Sequence, residues 1–296
     1  MNMNKGFLNI KKFLANAVSS VIFWSREQRR AFRDRIWPTR PKRCVKYLSK
    51  YTKNIVYKEV AAAGDGKYLW TCWLQGEDNA PDLVKKCFRS MRQYMPSDFE
   101  MVVITLDNLD KYLTLPDFVI KKYKAKIISN PHFSDIIRLS LLKKYGGFWI
   151  DATCLLTAPL PSKIYNSEFF IYRSFGKFSK TFINNCFIYS KPYNHIIVKW
   201  LAAVVKYWAA EKFTLEYFLH HYLFIALLER DKDFKQCYDR YSLDETDENM
   251  HIIFRFAENN GPEISEDFYK TACEKSFIHK LTYKFDIRLP ENQLPS

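Results

Sequence analysis

Apolar residues along this chain fall into short blocks that alternate between unbroken runs and helical stripes. KYLWTCWL, from Lys67 to Leu74, is almost continuous and reads as a buried strand. Pro81 to Tyr94 reads as a helix, with Pro81 in its first turn and Leu83, Val84, Cys87, Phe88 and Met91 on one stripe. Phe99 to Leu106, carrying MVVITL, is a second strand that Asp107-Asn108 ends. Leu115 to Lys124 reads as a short helix, and Lys126 to Ser129 as a short strand or extended piece. Ser134 is placed to cap a helix running through Lys144, whose core side carries Ile137, Leu141 and Leu142. Gly146 or Gly147 then supplies a left-handed cap, and Phe148 to Ile150 is the next strand. Phe169 to Tyr172 and Phe187 to Tyr189 are further strands, and Asn194 to Ala210 and Thr214 to Glu229 are apolar helices. Residues 230 to 275 are acidic and polar with weak periodicity, and the last twenty are extended. Repeated βα units predict an α/β sandwich with a mostly parallel central sheet.

Charge divides the chain unevenly. The net charge is +14 over 296 residues. Residues 1 to 60 hold 15 Lys or Arg against Glu27, Asp34 and Glu59, a net of +12, so the remainder nets +2. The boundary drawn from this is a basic arm and linker over 1–64, closed by AAAGDG, and a body over 65–296. Leu8, Phe13, Leu14, Ala17, Val18, Val21 and Ile22 fall near helical spacing, and Lys11, Lys12, Asn16, Ser19 and Ser20 interrupt them. That run is too polar and short to span a bilayer and lacks a clean cleavage site. An amphipathic helix lying on an anionic membrane, reinforced by Arg26 to Lys46, accounts for it. Packing of the stripe on the body, or a solubilising tail, remains the plainer reading. A near-neutral body argues against a nucleic-acid groove. Seven scattered Cys with no CxxC pair and no Cys/His metal spacing argue against a disulfide scaffold and suit a reducing compartment. At 48% hydrophobic and 17% aromatic, the chain can bury a large core.

The chemistry concentrates in HFSDIIRLSLLKKYGGFWIDATCLLTAPL, His132 to Leu160. Asp135 and Arg138 lie three apart on one helix face, and Asp151 emerges at the end of a strand. A strand's carboxyl end is where open α/β sheets hold ligands. Asp135 also suits a first helical turn, and Asp135–Arg138 suits a plain intrahelical pair. As a site, the Ser134 helix start offers N–H groups and Arg138 offers a fork for a diphosphate. Asp151 can hold Mg²⁺ or Mn²⁺. His220 and His221 lie in an apolar helical run and read as core histidines, with His221 able to face an acceptor. Asn184-Asn185 reads as a turn before a strand.

The pattern SDIIRLSLLKKYGGFWIDAT resembles the signature of the DXD-containing glycosyltransferase sugar-binding-region family of GT-A type. YLWTCWLQGEDNAPDLVKKCFRSM is similar to the start of its capsular polysaccharide synthesis members. The resemblance covers about residues 67 to 228, and NNCFIYSKPYNHIIVKWL and EYFLHHYLF fit it loosely. It implies a GT-A-like, Rossmann-type αβα sandwich with a helical C-terminal part behind the basic N-terminal arm. It also implies a retaining transfer of a hexose from a UDP- or GDP-hexose to an oligosaccharide or lipid-linked glycan, as in capsule synthesis. Under it, Asp135 and Arg138 bind donor sugar and diphosphate, and Asp151 contacts the ribose or the metal's water shell. Trp70, Trp73 and Gln75 border the base, and Asp107 ends the second strand towards the nucleotide. It places a substrate-facing Asn about here, at Asn185, and Ser134 and His221 join it as binding candidates. Mn²⁺ or Mg²⁺ falls to Asp151 and Thr153, where Thr153 replaces the second acid of the DXD. The expected place of work is the cytoplasmic, inner face of the cell membrane, reached through residues 1–60. Thr153 leaves one alternative open: a catalytically weak glycan or lipid-surface binding protein on the same scaffold.

Overall fold

The structure is a computed structural model that describes residues 41–58 and 65–290. The expected amphipathic stripe at residues 8–22 lies outside the described residues. In chain order the helices are α1 (Pro41–Leu48), α2 (Asp82–Tyr94), α3 (Leu109–Tyr112), α4 (Asp117–Lys124), α5 (Asn130–Tyr145), α6 (Ser162–Tyr165), α7 (His195–Ala210), α8 (Leu219–Arg230), α9 (Lys232–Tyr241), α10 (Ile252–Asn260) and α11 (Glu266–Lys275). The strands are β1 (Tyr68–Cys72), β2 (Glu100–Ile104), β3 (Gly147–Ile150), β4 (Cys154–Leu156), β5 (Phe169–Arg173), β6 (Ile183–Ser190) and β7 (Ile278–Lys280).

Five strands form one sheet in the order β2-β1-β3-β6-β5. β1 pairs in parallel with both β2 and β3, whereas β6 runs against both β3 and β5. Four of the five strands therefore point one way, as the βα alternation predicts. Alternation along each strand splits the apolar residues between two cores. Trp70, Trp149, Ile171 and Ile188 join the helices α1, α5, α7, α8 and α9 on one face. Leu69, Phe148, Ile150 and Phe187 join α2, α10 and α11 on the other. The result is the three-layer sandwich expected.

Three local expectations are corrected. Lys126 to Ser129 forms no strand: Lys126 has φ 54°, a left-handed turn that ends α4. Asn184-Asn185 is not a turn but part of β6. Residues 230–275, where the periodicity is weak, hold α9, α10 and α11, the helical C-terminal part expected, with side-chain caps at Asp231 and Ser265. Cys44, Val45, Leu48 and Tyr51, assigned to the arm, are buried in the core with α8. Among the described residues, no helix is long and apolar enough to cross a membrane.

Candidate functional site

Trp149 points to the α5 face of the sheet, and Asp151, two residues on, emerges on the same side. That parity delivers the carboxylate to the helix that carries Asp135 and Arg138. The Trp149 indole N–H donates to Asp151 Oδ1 at 2.9 Å, and the Arg138 guanidinium lies 4.8 Å above the Trp149 ring. Arg138 Nη2 is 3.2 Å from Asp151 Oδ1 and 3.4 Å from Asp135 Oδ1, so one cation bridges both acids. Its Nη1 donates to the Asn185 carbonyl. The Asn185 amide in turn donates to Asp135 Oδ1 at 3.3 Å and His220 Nδ1 at 2.9 Å.

β6 presents Asn185 because its pairing with β5 skips: Ile171 faces Ile188, but Tyr172 faces Asn184. The irregularity turns Asn184 and Asn185 into a cavity of about 630 Å³ at the carboxyl end of β3. Such a volume suits a small-molecule ligand. Asp135, Arg138, Asp151, Thr153, Ser134, Trp73, Asn185 and His221 all line it. The three charged residues picked from sequence thus share one pocket.

Three others do not line the cavity. Trp70 is fully buried, its N–H donated to the Gly146 carbonyl at 2.9 Å and its ring stacked on Tyr68. Gln75 and Asp107 are exposed beyond the ends of β1 and β2, outside the cavity lining. Ser134 lines the cavity but caps nothing. α5 begins four residues earlier, at Asn130, so the free N–H groups are those of Ser129, Asn130 and His132, Pro131 having none. The Ser134 helix-start phosphate seat is therefore withdrawn, and so is the dipole argument for Asp135, which sits in the second turn. A Pro at position 131, allowed in a first turn, was the missed signal.

The cavity also contains what sequence reasoning passed over. β7 pairs antiparallel with β4, placing Lys280 opposite Cys154. Its Nζ is 2.7 Å from Asp151 Oδ2. Leu281, Thr282, Tyr283, Lys284 and Phe285 continue along the cavity wall, with Tyr283 edge-on to Trp73 at 5.3 Å. Asp247, also in the lining, accepts from Asn184 at 2.7 Å and lies 3.2 Å from His251. None of these residues lies in the DXD stretch, and β7 is only three residues of the terminal segment read as extended, with nothing local to name its partner strand.

Burial works against ionisation of Asp151, but Lys280 and Arg138 outweigh it and hold the carboxyl below its ordinary range. Burial likewise opposes Asp135, and His220, Arg138 and His132 outweigh it in the same direction. His220 is itself pushed well down by burial, and the amide donated to its Nδ1 fits a neutral ring. Burial also pushes His221 and His279 down to about 4.

A pH dependence of stability is expected from these histidines. An unfolded histidine takes up a proton below about pH 6.5, and these buried rings do not until about pH 4. Unfolding therefore gains protons over that window, and stability falls as pH drops. The expected loss at pH 5 is on the order of 2 kcal/mol for each of His221 and His279. Urea midpoints between pH 7.5 and 5 check this, and His279→Leu is expected to remove its share of the slope.

Asp151 and Thr153 do not fit a divalent cation held by this chain. Both Asp151 oxygens already face cations or an N–H, and Thr153 adds no charge. Among the described residues, no group of three His, Cys, Asp or Glu is disposed to hold a metal ion.

The sequence profile of the family described as "Capsular polysaccharide synthesis protein" matches residues 23–293. The chain belongs to that family, as the resemblance over residues 67–228 implied. No curated protein matches the chain. Among solved structures it is similar to one titled "PaToxG Glycosyltransferase", at 16% identity and a TM-score of 0.36, over 78% of this chain and 84% of that one. A likeness that low carries no weight for the chemistry of the cavity.

Proposed function

From membership of a capsular polysaccharide synthesis family, we propose that this chain is a glycosyltransferase acting on a nucleotide-sugar. The observation that carries the reading is Arg138 bridging Asp135 and Asp151 on the wall of a cavity of about 630 Å³. A guanidinium held between two acids is a preorganised partner for a phosphate. Asp135, locked by Asn185 and Arg138, is suited to accept sugar hydroxyls. Trp73 and Tyr283, edge to face, suit a base at the rim. In the transfer, the bond from the anomeric carbon to the diphosphate oxygen breaks, and its electron pair leaves with the nucleoside diphosphate. The acceptor hydroxyl forms the new glycosidic bond, and its proton passes to the departing phosphate oxygen. The arrangement needs no separate base and retains the anomeric configuration. A hexose donor, a lipid-linked capsular or surface glycan as acceptor, and work at an inner membrane face through residues 1–60 complete the proposal.

Incubating the full chain with UDP- and GDP-hexoses and measuring released nucleoside diphosphate tests it. Release from at least one donor is expected. No release from any donor, together with no thermal shift from UDP or GDP, overturns the reading. That result favours a non-enzymatic glycan-binding protein, for which Thr153 in place of an acid is the supporting feature.

A further inference from the structure

We infer that the Lys280 ammonium does here what a divalent cation is expected to do: seated on Asp151, it meets the donor diphosphate, so this chain binds nucleoside diphosphates without metal. The inference rests on the transferase reading.

A D-x-D pair presents two negative charges to a doubly charged ion. This chain presents one, Asp151, because Thr153 is uncharged. It also brings one positive charge to the same place, 2.7 Å from Asp151 Oδ2. One carboxylate fewer and one ammonium more keep the local balance.

Backbone pairing makes the placement firm. Lys280 faces Cys154 in the β4–β7 ladder, and the Leu281 N–H donates to the Thr153 carbonyl at 2.8 Å. The lysine is therefore tied to the loop that carries Asp151 and Thr153, and it cannot drift with the chain end. The contact also takes up the oxygen that a metal would need.

An ammonium has three donors. One is spent on Asp151. The Lys280 side chain keeps 25% of its surface exposed, and the residue lines the cavity. It can turn its other donors to phosphate oxygens while Asp151 holds the stem in place. Arg138 on the far side of Asp151 gives the diphosphate a second cation. Lys284, further along the same wall, adds positive charge at the rim.

Titration of UDP and GDP into the full chain, in excess EDTA and in excess Mn²⁺, tests the inference by binding. The wild-type chain is expected to bind one nucleotide in EDTA with an affinity within about twofold of that in Mn²⁺. Lys280→Ala is expected to lose about 10- to 100-fold in EDTA. Mn²⁺ is expected to restore part of that loss in Lys280→Ala, because Asp151 Oδ2 is then open, whereas it changes nothing in the wild type. Lys280→Arg is expected to keep most of the metal-free affinity. Thermal unfolding of each variant separates a binding defect from a folding one, and the wild-type measurement depends on no variant. Wild-type binding that appears only with Mn²⁺ overturns this inference and leaves the transferase reading standing. No binding under either condition overturns both.

Discussion

Arg138→Ala is expected to lose nucleotide-sugar turnover by at least about 10³-fold and to destabilise the fold by about 3–5 kcal/mol. The two effects share one cause. Arg138 is nearly buried, with 6% of its side chain exposed, and it is the cation between Asp135 and Asp151. Removing it leaves Asp135 with Asn185, His132 and His220 but no permanent positive charge beside it. It also frees the Asn185 carbonyl and uncovers the Trp149 ring. A buried carboxylate stripped of its partner costs far more than an exposed pair contributes. Arg138→Lys divides the effects. A lysine keeps the charge, so most of the stability is expected to survive. It cannot reach both acids and a phosphate at once, so turnover is still expected to fall by about 10²-fold. Melting curves and released nucleoside diphosphate, measured on the same preparations, check both. An Arg138→Ala chain that melts and turns over like the parent removes the basis for a diphosphate pocket here.

The contrast between what sequence reading reached and what it missed has a physical pattern. Asp135, Arg138 and Asp151 were legible because their geometry is local: one helix face, one strand parity and a glycine pair between them. Trp149 was legible as a strand residue but not as a site residue, since only the parity rule ties its indole to Asp151. Trp70 was misplaced for the same reason. Leu69 and Trp70 alternate across the sheet, and nothing in KYLWTCWL says which face holds the pocket. Ser134 was misread as a cap because its residue type fits, whereas the helix begins at the less conspicuous Asn130-Pro131. Lys280 was out of reach. Its position depends on a three-residue ladder between segments more than a hundred residues apart, and no period of 2 or 3.6 records such a pairing. Local rules recovered the layers and the acids; long-range pairing decides which cation meets them.

Gly147→Ala is expected to destabilise the chain by at least about 4 kcal/mol and to leave little soluble protein. α5 stops at Tyr145 and β3 starts at Gly147, so a single residue turns helix into strand. Gly146 has φ 69° and Gly147 has φ 92°, where a side chain is strained. Space forbids one as well. A methyl on Gly147 would run into the Tyr68 carbonyl oxygen and come within 3.0 Å of the Tyr68 nitrogen and carbonyl carbon. These are backbone atoms of β1, and they move only if β1 and β3 separate. That pairing, Leu69 to Phe148 and Trp70 to Trp149, sets how far Asp151 emerges beyond the sheet. Gly261 isolates the contribution of backbone angle alone. It has φ 97° after α10, and nothing lies within 4 Å of where a methyl would sit. Gly261→Ala is therefore expected to cost only about 1 kcal/mol. Comparing soluble yield and melting temperature of the two variants measures the difference. If Gly147→Ala melts within a few degrees of Gly261→Ala, the close approach of β1 to β3 is not what fixes Asp151 opposite Arg138.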